Sequence, residues 1–232
     1  MPIPFNFSHI KIVMIISVIL INLVAASPSQ PKWPQYFISS ITDTILDENQ
    51  NQKFTNGTYY FNFLARSSRI DLEDGQYDPL CKLNGFEDLI YNPCRIYATG
   101  GNTFIFYPVD SYCCWCCNAS QGCGNIYPNA LLRELEFLGE NEIDGKSGYF
   151  WKRDDYAYFE TIGDNPENRD TIIIIEESKN ITFESMNRTL PDQKTFDLPW
   201  ECKVSHSCPE ESLCGRIRKK GIDNLKDISP IY

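Results

Sequence analysis

The sequence predicts a mainly β, single-domain protein with one short helix and a cysteine-rich C-terminal tail, stapled by disulfides. Three observations lead there. Short β-rich segments separated by turn residues recur from Tyr36 to Met186, five of the ten cysteines crowd between Cys113 and Cys123, and the chain opens on an export-type leader.

The leader settles the state of the thiols. Met1 to Lys11 carries one lysine and no acid, Ile12 to Leu23 is an apolar core broken by Ser17 and Asn22, and Val24-Ala25-Ala26 supplies small residues before Ser27. A membrane anchor needs about 20 apolar residues; this core is nearer a dozen, so residues 1–26 read as a signal peptide cleaved after Ala26. The leader holds one of the 21 basic residues and none of the 31 acids, so the remaining 206 residues carry a net charge of −11. Such a surface disfavours nucleic acid, whose binding rests on neutralised phosphates, and no later apolar run reaches spanning length. In an oxidising compartment an even cysteine count favours five bridges. The predicted partners are Cys81, Cys94, Cys113, Cys114, Cys116, Cys117, Cys123, Cys202, Cys208 and Cys214, with each cysteine of the central cluster reaching a distant segment. Sequons at Asn56, Asn118, Asn180 and Asn187 mark glycosylation sites.

Taken in order, Ser27 to Trp33 reads as a loose lead-in and Tyr36 to Leu46 as a strand. Gly57 to Asp71 alternates with Tyr59, Phe61, Phe63 and Ala65 on one face, which predicts a strand packed on a core. Glu73-Asp74-Gly75 is a turn; Asp88–Tyr91, Arg95–Ala98 and Thr103–Pro108 are short β segments, the last leading into the cysteine cluster. Pro128 to Leu138 is the predicted helix, with Pro at its first turn, leucines at helical spacing and Gly139 just beyond, although Glu136-Phe137-Leu138 also suits a strand. Gly148–Lys152, Tyr156–Ile162, Thr171–Glu176 and Ile181–Met186 are strands, and the run Ile172 to Ile175 suits one covered on both faces. The β domain spans residues 27–200. Residues 201–232 form a tail too polar to pack alone, held back by its cysteines and ending in the solvated basic run Arg216 to Lys220.

Chemistry in this sequence is sparse. Cys113-x-x-Cys116 and Cys114-x-x-Cys117 match one zinc knuckle or a redox pair, but the tail cysteines offer no second knuckle, so structural disulfides are favoured. His206 is the one histidine after the leader and reads as a surface loop residue. No Gly-x-Ser-x-Gly elbow occurs, and the acid pairs Asp154-Asp155 and Glu176-Glu177 point to opposite faces if they lie in strands. The turns Asp71-Leu72-Glu73-Asp74-Gly75 and Asp164-Asn165 carry oxygen ligands without a calcium-loop pattern. These readings predict no enzyme, no catalytic residue and no obligate cofactor.

The order of features resembles the ependymin-related family: Arg66, Arg69 and Asp71, then Asp88-Leu89-Ile90-Tyr91, the Pro128-Asn129-Ala130-Leu131-Leu132 segment, Phe137 to Glu140, Gly145 to Trp151, and Phe196-Asp197-Leu198-Pro199 before Cys202. The likeness runs from about Phe54 to Cys202; the doubled cysteine cluster and triple-cysteine tail exceed the family's set. The resemblance implies a secreted or lysosomal glycoprotein whose curved antiparallel sheet, a LolA-like half-barrel, folds over a hydrophobic, lipid-holding cavity, with calcium binding and a homodimer. Tyr59, Phe61, Phe63, Phe104, Phe106, Phe150, Tyr158 and Phe159 supply side chains for such a surface or for an ordinary core. Two functions follow as alternatives: a binding protein for a hydrophobic ligand, or a structural, adhesive extracellular protein with weak calcium binding.

Overall fold

A computed structural model of the chain describes residues 27–46, 51–83, 92–124, 132–154, 156–176 and 179–221. The leader, the β segment predicted at Asp88–Tyr91 and the start of the predicted helix at Pro128 lie outside the described residues. Within them are eleven strands: β1 (Tyr36–Leu46), β2 (Gln52–Asn62), β3 (Ser67–Leu72), β4 (Cys94–Thr99), β5 (Asn102–Tyr107), β6 (Tyr112–Asn118), β7 (Glu136–Ile143), β8 (Lys146–Arg153), β9 (Tyr156–Thr161), β10 (Thr171–Ile175) and β11 (Lys179–Asn187). They form one curved antiparallel sheet in the order β6-β5-β4-β3-β2-β1-β11-β10-β9-β8-β7. Two meanders thus lie side by side, joined where β11 pairs with β1, and β6 and β7 are the edges.

Alternation located most strands but continued through one turn. The strand predicted from Gly57 to Asp71 is a hairpin: the Asn62 side chain accepts the Ala65 N–H at 3.1 Å, Arg66 takes φ 49°, and β3 pairs back on β2. An Asn side chain can stand in for a backbone turn without interrupting the apolar pattern. The described part of the predicted helix is not helical. Residues 132–134 turn, Glu134 takes φ 59°, and β7 begins at Glu136, with Gly139 (φ 117°) at a bulge rather than past a helix end. Leu132 and Leu135 are still buried, whereas Leu138 is 49% exposed.

The helix found among the described residues, α1 (Leu213–Lys220), belongs to the tail read as too polar to pack alone and includes the basic run read as solvated. Ser212 Oγ caps it by accepting the Gly215 N–H at 3.3 Å, and Leu213, Cys214 and Ile217 face the core. Gly215 permits the close approach, since a Cβ there would lie 2.2 Å from the Glu210 carbonyl oxygen.

Side chains sort to two faces. The inner face carries Phe37, Ile41, Tyr59, Phe61, Ile70, Ile96, Ile105, Tyr158, Ile174, Ile181 and Phe183 in the main core, covered by Trp33, Leu80, Leu83 and the apolar side of α1. On the outer face Tyr97, Phe104, Phe106 and Cys113 pack beneath Leu198, while Phe159, Ile172 and Ile173 form a second cluster with Phe150. The aromatic residues predicted to share one surface are therefore divided, and Phe63 sits in the β2–β3 turn. Ile172, Ile173 and Ile174 are 6%, 8% and 0% exposed, as expected of a strand covered on both sides.

Candidate ligand-binding site

The lead-in read as loose is fixed in place by Trp33. Its ring is 5% exposed and lies 5.5 Å from Phe37, 6.1 Å from Tyr59, 5.6 Å from Phe61 and 6.3 Å from Phe183, centroid to centroid and all edge-on. Edge-to-face contacts of this kind each add roughly 0.5–1.5 kcal/mol to the burial of area. Trp33 thereby plugs the inner aromatic face. Beside it a groove of about 560 Å³ opens over Trp33, Tyr36 and Phe63, rimmed by Lys32, Arg133, Glu167 and Arg188.

Two buried ionic clusters hold the covering segments down. Arg169, 1% exposed, pairs with Glu160 at 2.8 Å and donates to the carbonyl oxygens of Ser29 at 2.6 Å and Gln30 at 3.3 Å. Glu160 also accepts the indole N–H of Trp151 at 3.0 Å. Burial pushes the Glu160 carboxyl up to about 7, against the opposing pull of Arg169 and Trp151. The lead-in is thus tied through Arg169 to β9.

The second cluster is Lys179 between Asp43 and Asp78, at 2.7 Å from each, with all three side chains at most 2% exposed. Asp78 also accepts the backbone N–H groups of Leu80 at 2.9 Å and Cys81 at 3.1 Å, so the cluster binds the covering segment 75–83 to β1 and β11. Burial opposes the Lys179 charge, but Asp43 and Asp78 outweigh it and the ammonium pKa rises. Burial lifts the Asp43 carboxyl well above the usual carboxylate range, with Lys179 working against it. Sequence reading missed Trp33, Arg169 and Lys179. Their only signal is a bulky or charged residue beside a turn or strand end.

All ten cysteines are bridged. Consecutive residues of a strand face opposite ways, and Cys113 and Cys114 of β6 use this, whereas Cys116 and Cys117, at an irregularity in the β5–β6 register, hold their sulfurs 3.7 Å apart. Cys113 joins Cys202 within the outer cluster, whereas Cys114 joins Cys208 and Cys116 joins Cys214 of α1 in the main core. The tail is clamped around edge strand β6, where Trp115 N–H donates to His206 O at 2.7 Å and Cys208 N–H to Trp115 O at 2.9 Å. Arg218 completes the clamp, donating to the carbonyls of Cys116 at 2.9 Å and Cys208 at 2.5 Å. Cys81 pairs with Cys94. One expectation fails, because Cys117 closes on Cys123 six residues away and not on a distant segment. A tight 3-10 turn at Ala119–Gln121, capped by Asn118, returns the chain far enough for that short bridge. Cys116, Cys117 and Cys123 bring their sulfurs within 4.8 Å of one another, the metal-like grouping found among the described residues, but every one is consumed in a disulfide. Five bridges point to an oxidising extracellular or lumenal location.

The remaining predicted sites are dispersed. Asn56 and Asn187 are exposed, whereas Asn118 and Asn180 are half-buried. Asp71 is held by Arg69 at 2.5 Å, Asp74 caps the turn at Gln76, and Asn165 caps the turn at Glu167. His206 is exposed, its ring edge-on to Tyr112 at 5.3 Å. Asp155 and Glu177 lie outside the described residues. No described helix is long and apolar enough to cross a membrane.

No family model and no curated protein matches the chain. Among solved structures it is similar to an uncharacterized conserved protein from Thermus thermophilus, at 8% identity over 83% of this chain and 97% of that one, with a TM-score of 0.45. It is also similar to a LolA superfamily protein from Nitrosomonas europaea, at 12% identity over 72% of this chain and 92% of that one, with a TM-score of 0.39.

Proposed function

We propose that this chain is a secreted or lumenal glycoprotein that binds a hydrophobic, lipid-like ligand at the inner face of its sheet, as a binding protein and not an enzyme. The groove beside Trp33 carries the reading. Its volume of about 560 Å³ falls within the roughly 300–1,000 Å³ of small-molecule sites. Its floor is aromatic, its rim is charged, and behind Trp33 lies the cluster of Phe37, Tyr59, Phe61 and Phe183. A ligand tail that displaces the indole meets the rings of Phe37, Tyr59, Phe61 and Phe183. The ependymin-related resemblance supports the same class, and the sequons at Asn56, Asn118, Asn180 and Asn187 support glycosylation. The test is titration of delipidated protein with a fluorescent fatty-acid probe. Saturable uptake that unlabelled fatty acid competes away is expected; probe emission that stays at its aqueous level throughout would overturn the proposal.

A further inference from the structure

We propose that the stapled loop around Trp200 to Val204, with the neighbouring β5–β6 turn, is a tip that docks on a lipid bilayer. Trp200 is 79% exposed, Val204 52% and Val109 67%. The loop is rigid by construction: Cys202 and Cys208 are bridged to the consecutive residues Cys113 and Cys114 of β6, with Cα separations of 5.0 and 4.8 Å. The ring of His206 packs on Tyr112, the first residue of β6, so the loop runs up to the turn that bears Val109. Three bulky apolar side chains are thus held out in water at one end of the clamped edge.

Chemistry and size both favour a membrane over a protein partner. A specific protein interface buries about 800 Å² on each side, far beyond three side-chain tips, whereas a fluid bilayer needs no matching surface. Trp suits the headgroup level, where its ring is buried and its N–H stays wet. The ammonium of Lys203 lies 5.8 Å from the Trp200 ring centroid, at the same level, where lipid phosphates would meet it. At the tip Lys203 stands against Glu201 and Asp110, so the apolar side chains and not net charge carry the docking. Asp110, beside Val109, is engaged by the Asn92 amide at 2.7 Å.

The protein carries its own probe. Of the four tryptophans, Trp33 and Trp151 are buried and Trp115 is half-buried, so quenching by acrylamide reports chiefly on Trp200. With vesicles of phosphatidylcholine containing a minority of phosphatidylserine, the emission should shift to the blue and lose accessibility to acrylamide. Val204→Asp and Val109→Asp should each weaken partitioning about tenfold, the loss of roughly one buried Val side chain, with unchanged near-UV circular dichroism. Lys203→Glu should weaken binding most on the phosphatidylserine vesicles. Emission and quenching that ignore vesicles, or a Val204→Asp protein that binds as well as the parent, would overturn the proposal; so would a shift produced by a protein extract and not by lipid. Fatty-acid uptake by Val204→Asp should be unchanged, so failure here and failure of the ligand pocket are separable.

Discussion

Replacing Lys179 with methionine is expected to destabilise the fold by about 3–5 kcal/mol, the range for breaking a buried ion pair from one side. Lys179 is 2% exposed and lies 2.7 Å from both Asp43 and Asp78. Without the ammonium, two carboxylates with no route to water face each other. Asp78 keeps its bonds from the N–H groups of Leu80 and Cys81, so Asp43 is the group driven to take up a proton. The loss should therefore be smaller at pH 5 than at pH 8. Urea unfolding with the bridges intact measures this as a fall in midpoint at unchanged slope. Adding Asp43→Leu to Lys179→Met should recover more than half of the loss, since an apolar replacement removes the stranded charge. A single-variant loss below about 1 kcal/mol, or an equal loss at both pH values, would refute the assignment of this cluster as the latch of segment 75–83.

Three further expectations follow from the same geometry. Because Glu160 is raised by burial from 4.5 to about 7, the folded state holds a proton that the unfolded chain releases; its contribution is full below about 4.5 and is lost as pH rises through about 7. At roughly 1.4 kcal/mol per unit of pKa difference, stability should fall by about 2 kcal/mol from pH 5 to pH 8 on this account alone. Asp43 acts in the same direction, and Glu160→Gln should flatten the profile; a stability that climbs over that interval would contradict the sign. Trp33→Ala should cost about 3–5 kcal/mol as a core truncation, and saturating fatty-acid probe should restore part of it by mass action; a melting temperature unmoved by probe would argue against a cavity there. Replacing Cys81 and Cys94 by serine should cost about 3 kcal/mol, as that bridge closes a loop of 13 residues, and replacing Cys114 and Cys208 should cost less, because Cys113–Cys202 and Cys116–Cys214 still join the same two segments. Urea midpoints in the reverse order would refute a chain-entropy origin.

How much of this was legible in the sequence depended on whether the signal was local. β1 matches its predicted span of Tyr36–Leu46, and β9 and β10 fall within a residue or so of prediction, because apolar alternation and flanking turn residues are local properties. The clustering of cysteines announced the staples. The different partners of Cys113 and Cys114 follow from the face of β6 each sulfur meets, and that required the strand. The described part of the 128–138 segment misled because Leu132 and Leu135 pack on the core from the turn before edge strand β7, a spacing that also suits a helix. α1 was overlooked because Arg216, Arg218, Lys219 and Lys220 dominate its composition, while burial depends on Leu213, Cys214 and Ile217. Least legible were Arg169 and Lys179. A charged residue reads as surface until the carboxylates that neutralise it, 9 and 136 positions away in the case of Glu160 and Asp43, are brought alongside by the fold.

Energy transfer from Trp33 to a bound fluorescent fatty acid tests the inner-face site most directly. Excitation at the indole band of the delipidated protein should sensitise probe emission with a single saturating step, and Trp33→Phe should remove more of that transfer than Trp200→Phe, although both leave the chain folded. Transfer that is absent, that never saturates, or that depends on Trp200 and not on Trp33 would contradict a ligand seated behind the Trp33 plug.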